Sequence, residues 1–154
     1  MPKKISIVIP VCNEKSNVPL MVDALCTVMD KQLYNYDITF IDDGSNDGTV
    51  DALKEQTQLK SNVFFIVLSR NFGHQNALKA GLDNSNGNAV ISMDGDLQHP
   101  PSLIPELIKH WEAGNDIVYT IRKDHHEIPM MKRKTSNLFY NLMNRLSDIE
   151  LEAG

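Results

Sequence analysis

Val90-Ile91-Ser92-Met93-Asp94-Gly95-Asp96-Leu97-Gln98-His99-Pro100 is an apolar run that ends in two carboxylates separated by one glycine. An extended segment followed by acids at i and i+2 sets both side chains on one side of the backbone, where they can grip one hard cation. Gln98 repeats the step with a third oxygen donor. Asp94, Asp96 and Gln98 thus make a set suited to Mg2+ or Mn2+ rather than zinc. A lone Asp would be explained as a helix cap that complements the helix dipole; two acids and an amide exceed what a cap requires.

On both sides of this run, short β-branched segments alternate with segments of helical period. Strands are expected at 5–9, 36–41, 63–68, 89–93 and 117–121. Helices are expected at 18–29, from a cap at Asn46 or Asp47 to about Leu59, at 71–82, and from Pro100-Pro101 to Ala113, where Gly114-Asn115 ends the last one. Five strands alternating with helices predict an α/β fold: a Rossmann-like, mostly parallel sheet with helices on both faces. No repeat, low-complexity tract or linker interrupts it.

In such sheets ligands bind beyond the carboxyl ends of the strands. Glu14 follows the first strand, Asp42 and Asp43 the second, Arg70 and Asn71 the third, Asp94 and Asp96 the fourth, and Arg122 the fifth. Polar and charged groups therefore converge on one sheet edge, as a binding site requires. Asp43 is expected to accept hydrogen bonds from the N–H of a base or the hydroxyls of a ribose; Asp42 is left open, and Asp47-Gly48 reads as a turn. Neither a Gly-x-Gly-x-x-Gly nor a Gly-x-x-x-x-Gly-Lys-Ser/Thr pattern occurs, so phosphate must be held by metal and arginine. Arg70 and Arg122 are the candidates, because a guanidinium matches phosphate oxygens.

The bulk properties exclude several classes. A formal charge of −5 over 154 residues argues against a sequence-independent grip on nucleic acid. Two cysteines, Cys12 and Cys26, are too few for a disulfide framework or a zinc knuckle and fit a reducing compartment. The N-terminal apolar run is too short for a signal peptide or a membrane span, so a cytoplasmic chain without a transmembrane helix is expected. His125-His126-Glu127 lacks the spacing of a zincin, His74 and His110 read as ordinary helix residues, His99 is ambiguous, and no histidine is given a catalytic role. Residues 130–149 carry a Met, Leu and Phe stripe behind Lys132-Arg133-Lys134. Such a stripe packs on its own domain or a neighbour, with peripheral contact to a membrane surface as the minority reading.

Four ordered motifs, Pro10-Val11-Cys12-Asn13-Glu14, Asp42-Asp43-Gly44-Ser45-x-Asp47-Gly48-Thr49, Ser69-Arg70-Asn71-x-Gly73 and Asp94-Gly95-Asp96-Leu97-Gln98-His99-Pro100, resemble the family 2 glycosyltransferases of the GT-A fold. The resemblance covers essentially the whole chain. It is closest to the branch holding the dolichyl-phosphate mannose synthases and the bacterial polyprenyl-phosphate (bactoprenol) glucosyltransferases. It implies a nucleotide-sugar donor: Pro10, Cys12, Glu14 and Asp43 would contact the nucleoside, Asp94, Gly95, Asp96 and Gln98 would hold metal and diphosphate, and Arg122 would touch phosphate. Cys12 replaces a more frequent tyrosine, which removes a stacking ring. Asp94, Asp96 and Arg122 would carry catalysis, since a divalent ion and an arginine stabilise the charge that develops on the leaving diphosphate.

The same resemblance implies a metal-dependent, inverting hexosyl transfer to a polyprenyl phosphate or another cell-envelope acceptor, at the inner face of the cell membrane. UDP-glucose is the first donor to expect and GDP-mannose the second; a homo-oligomer is left open. No general base stands out, which mildly favours a phosphate acceptor, already largely ionised at neutral pH, over a hydroxyl. Residues 1–124 form the expected donor-binding core. Residues 125–154 form a loop and an amphipathic helix at the start of an acceptor region that the chain leaves incomplete, so a donor-binding fragment without transfer is the main alternative. A receiver-type Mg2+-binding signalling domain is a poor fit, because it needs its acids after strand one, a phospho-acceptor Asp after strand three and a Lys after strand five.

Overall fold

The computed structural model describes residues 3–121. The chain divides into two compact units, Met1–Asp116 and Ile117–Gly154. The first runs β1 (Lys4–Val11), α1 (Asn17–Met29), β2 (Asn35–Asp42), α2 (Thr49–Leu59), β3 (Val63–Val67), α3 (His74–Asp83) and β4 (Ala89–Ser92); a 3-10 turn (Pro101–Leu103) then leads into α4 (Ile104–Glu112). The strands form one sheet in the order β3-β2-β1-β4, and every pairing is parallel.

That order explains where the helices lie. The chain steps from β1 to β2 to β3 in one direction, then α3 carries it back across to β4. Right-handed crossovers put helices from opposite directions of travel on opposite faces. Accordingly Ile5, Ile7 and Ile9 of β1 and Ile38 and Phe40 of β2 pack with Met21, Leu25 and Met29 of α1, Leu53 of α2 and Ile104 of α4. On the other face Val8 and Ile41 pack with Ala77 of α3. β1 is buried from Ile5 to Val11 because helices cover it on both sides, which is why its sequence, apart from Ser6, is apolar rather than alternating.

Three boundaries depart from expectation for local reasons. α2 starts at Thr49 because Asp47 caps it from outside, its Oδ1 accepting the Thr49 N–H at 2.9 Å. α3 starts at His74 rather than Asn71, because Gly73 lies at φ +91°, ψ 151°, outside the helical region, and the free N–H groups of Phe72 and Gly73 are taken by a side chain on another loop. The fifth strand is not formed. Residues 117–121 carry no regular structure, and Ile117, Tyr119 and Ile121 are exposed. Their alternating pattern expresses β-propensity alone, whereas a strand exists only where a neighbouring backbone completes its ladder. The expected helix at 130–149 lies outside the described residues.

Phe40 is wholly buried between sheet and helices, whereas Leu33 is 97% exposed. Phe40→Ala is expected to cost about 3–5 kcal/mol in urea unfolding, and Leu33→Ala less than about 0.5 kcal/mol.

Candidate functional site

The strand order reverses between β1 and β4, and in open α/β sheets the crevice outside that reversal is where ligands bind. An open pocket of about 550 Å³ lies there. The end of β1 contributes Pro10, Val11, Cys12 and Glu14, and the loop after β2 contributes Asp43. Asn71, Gly73 and His74 come from the β3–α3 connection, and Asp94, Gly95 and Asp96 from the turn after β4.

Asp43 organises these loops. Its side chain is 3% exposed, and its two oxygens accept the N–H groups of Phe72 (2.7 Å) and Gly73 (2.9 Å). Its own N–H donates to the Val11 carbonyl at 2.9 Å. The next residue must be glycine: Gly44 has φ +74°, and a Cβ there would lie 2.5 Å from the Asn71 nitrogen. Close approach of the two loops therefore depends on a missing side chain. The Cys12 thiol bridges the same junction, donating to the Asp43 carbonyl at 3.5 Å and accepting from Asn71 Nδ2 at 3.4 Å.

The β1–α1 loop is tied down in turn. The Asn13 N–H donates to Ser45 Oγ at 2.8 Å and the Asn46 N–H donates back to Asn13 Oδ1 at 2.9 Å. Glu14 donates its N–H to Thr49 Oγ1 at 2.9 Å and accepts from Asn17 Nδ2 at 2.6 Å, which fixes its carboxylate at the pocket wall. Asp42 is fully buried outside the pocket lining; its Oδ2 accepts the Ser45 N–H at 3.2 Å, so it braces the turn. Asp47 accepts from the Thr49 hydroxyl and from the N–H groups of Thr49 and Lys15, and the hydroxyl bond above all holds its carboxyl below the ordinary value of 3.8.

The acidic turn after β4 carries both expected carboxylates into one pocket. Gly95 is buried, and a Cβ there would lie 2.6 Å from Val11 Cγ1, so the turn packs directly on the end of β1. Asp94 is half-buried, with His74 Nε2 at 3.5 Å from its Oδ1 and His99 Nδ1 at 3.5 Å from its Oδ2. Asp96 is exposed and accepts the Gln98 N–H at 2.9 Å. Gln98 itself is exposed and stands outside the lining. Arg70 does too; its guanidinium sits 4.8 Å from the centre of the Phe72 ring. Arg122 lies outside the described residues.

Asn71, placed on the binding edge by the sequence, lines the pocket, whereas sequence reasoning gave no site role to Val11, Gly73 and His74. The signal for the last two was present, because both follow β3 and so stand on the ligand-binding edge. His74 is the first residue of α3 rather than an interior one, and that places it in the pocket.

Four carboxylates, Glu14, Asp43, Asp94 and Asp96, line the pocket, and among the described residues His74 is the one lining side chain able to carry positive charge. Among the described residues no three of His, Cys, Asp and Glu stand close enough to enclose a metal ion. Asp94 and Asp96 fit the other arrangement, in which one or two carboxylates hold Mg2+ or Mn2+ and substrate phosphates with water complete the shell.

The family model for Glycosyl transferase family 2 matches residues 6–151. The chain belongs to that family. It is 40% identical over 146 residues to an uncharacterised glycosyltransferase, YkcC, of Bacillus subtilis (strain 168), covering 95% of this chain and 45% of the relative. It is also 40% identical over 149 residues to the bactoprenol glucosyl transferase of Shigella phage SfV, covering 97% of this chain and 48% of the relative. The chain thus spans about half the length of these curated relatives. Its structure matches the glucosyl-3-phosphoglycerate synthase of Mycobacterium tuberculosis, solved with Mn2+, UDP-glucose and phosphoglyceric acid, at a TM-score of 0.59 and 25% identity over 75% of this chain and 41% of that one. The fold of this family 2 member is GT-A.

Two outcomes are expected for the loop junction. Asp43→Asn keeps the shape but turns an NH2 toward a backbone N–H; it should cost about 2 kcal/mol in chemical denaturation and speed amide exchange at Phe72 and Gly73 before other core amides. A carboxyl whose folded pKa is depressed contributes stability above its ordinary pKa, and that contribution is lost as pH falls through the folded value. The unfolding midpoint should therefore fall more steeply below about pH 4 in the parent than in Asp47→Asn, when the two are compared across an acid series.

Proposed function

We propose that this chain binds a nucleotide-diphospho-sugar and delivers its hexose, with inversion, to a polyprenyl phosphate at the inner face of the cell membrane. UDP-glucose is the first donor and GDP-mannose the second. The observation that carries the reading is the convergence of Asp94 and Asp96 with Glu14 and Asp43 in one pocket at the β1/β4 reversal. Four carboxylates would repel a diphosphate unless a cation stood between them. Membership of the family, the 40% identity to a bactoprenol glucosyl transferase and the Mn2+ and UDP-glucose of the mycobacterial structure support the choice of donor, ion and acceptor.

In this reading the residues divide by position. Pro10, Cys12, Glu14 and Asp43 receive the nucleoside, with Asp43 accepting through oxygen lone pairs that its two backbone bonds leave open. Gly95 lets the acidic turn approach β1, so that Asp94 and Asp96 face the diphosphate. Asp94 and Asp96 would hold Mg2+ or Mn2+, which would supply Lewis-acid stabilisation to the departing nucleoside diphosphate, and Gln98, outside the lining, would reach the ion only by turning inward. Arg122 is assigned to phosphate, and Arg70, outside the lining, would reach it only by leaving the Phe72 ring. A phosphate acceptor is already anionic at neutral pH, so the pocket needs no general base. No helix among the described residues is long and apolar enough to cross a membrane.

Calorimetry of the chain with UDP-glucose and with GDP-mannose, each with and without Mn2+, tests the donor site. UDP-glucose is expected to bind in Mn2+ and to lose at least about tenfold in affinity in Asp96→Ala, as loss of a metal ligand or its support does. Binding of neither donor in Mn2+, or unchanged binding by Asp96→Ala, would sink the proposal. Sugar release in the presence of polyprenyl phosphate reads transfer separately from binding.

A further inference from the structure

We propose that His74 is a ligand of the ion held by Asp94, and that its imidazole nitrogen biases the site toward first-row transition ions over Mg2+. The inference rests on the donor-site reading above and names the ion that the site selects.

The His74 Nε2 to Asp94 Oδ1 separation of 3.5 Å is longer than an ordinary hydrogen bond, whose N···O distances run to about 3.2 Å. At that spacing two donors have room to share an ion. An ion about 2.1 Å from each of two atoms this far apart sees them at an angle of roughly 110°, well within the range of ligand geometries. Both side chains are about half-exposed, at 51% and 46%, and both line the pocket, so an ion arriving with a diphosphate reaches the pair from solvent. A neutral imidazole offers one lone pair, and protonation at Nδ1 leaves it on Nε2.

The backbone holds His74 in place. It is the first residue of α3, and the two residues before it are pinned through their N–H groups to the Asp43 carboxylate. Few rotatable bonds then separate the imidazole from the rigid end of the sheet. His99 makes the contrast. Its Nδ1 stands 3.5 Å from the other Asp94 oxygen, but His99 is not part of the pocket lining, so of the two histidines beside Asp94 only His74 lines the pocket.

A nitrogen donor discriminates among ions. Mg2+ is hard, demands near-ideal octahedral geometry and is bound through oxygen, whereas first-row transition ions accept imidazole readily. Two carboxylates and a diphosphate alone would take either ion; exchanging one oxygen position for His74 tilts the balance.

Pulsed electron paramagnetic resonance of the chain loaded with Mn2+ and UDP tests this directly, comparing protein grown with ordinary and with 15N-labelled histidine. The parent is expected to show a histidine nitrogen bound to Mn2+ that changes with the label. His74→Gln should lose that coupling, and its preference for Mn2+ over Mg2+ in competition titrations should fall about tenfold. His99→Gln should keep both. Mn2+ bound to the parent without a histidine coupling, or a coupling that survives in His74→Gln, would overturn the assignment and leave the donor site standing. Failure of Mn2+ to bind the parent with UDP would remove both readings. The parent's coupling needs no variant, so a poorly folded substitution cannot mask the answer.

Discussion

The buried carboxylate of Asp43, with its two backbone N–H partners at Phe72 and Gly73, is the interaction on which the site depends. Each N–H, without a partner inside α3, would otherwise face water. By taking both, Asp43 ends the β3–α3 loop one residue before His74, brings Asn71 against Cys12 and fixes the opening of the pocket. Charge-assisted bonds inside a protected junction are stronger than their exposed counterparts, and Gly44 lets the two loops close around them. One side chain thus sets the geometry of two loops.

The second constraint is topological. A parallel sheet of order β3-β2-β1-β4 has one place where neighbouring strands send their connections in opposite directions, between β1 and β4. The loops part there and leave a crevice. Pro10 to Glu14 stand on one side of it and Asp94 to Asp96 on the other, with Gly95 seated on Val11. The acids face inward because their turn rests on the end of β1. The crevice thereby gathers four carboxylates, Glu14, Asp43, Asp94 and Asp96.

Much of this was legible in the chain. The strand and helix alternation followed from β-branched runs and helical periods, and four of five strands formed close to their expected bounds. The fifth did not, because Ile117, Tyr119 and Ile121 carry the pattern of a strand but no described neighbour completes a ladder. Seven of the expected site residues, Pro10, Cys12, Glu14, Asp43, Asp94, Gly95 and Asp96, line one pocket. Arg70 stacks on Phe72 and Gln98 faces solvent, because a residue type at a strand end does not reveal where its side chain turns.

The sequence by itself determined the element order, the family and the acids that end β2 and β4, because propensity, period and motif spacing are local properties that one chain carries in its letters. Tertiary structure alone decided three things: that β4 pairs with β1, that Asp43 spends its charge on the Phe72 and Gly73 amides, and that His74 stands beside Asp94. Each depends on contacts between residues about twenty or more positions apart, and folding satisfies such contacts through backbone hydrogen bonds and close packing that no local pattern records.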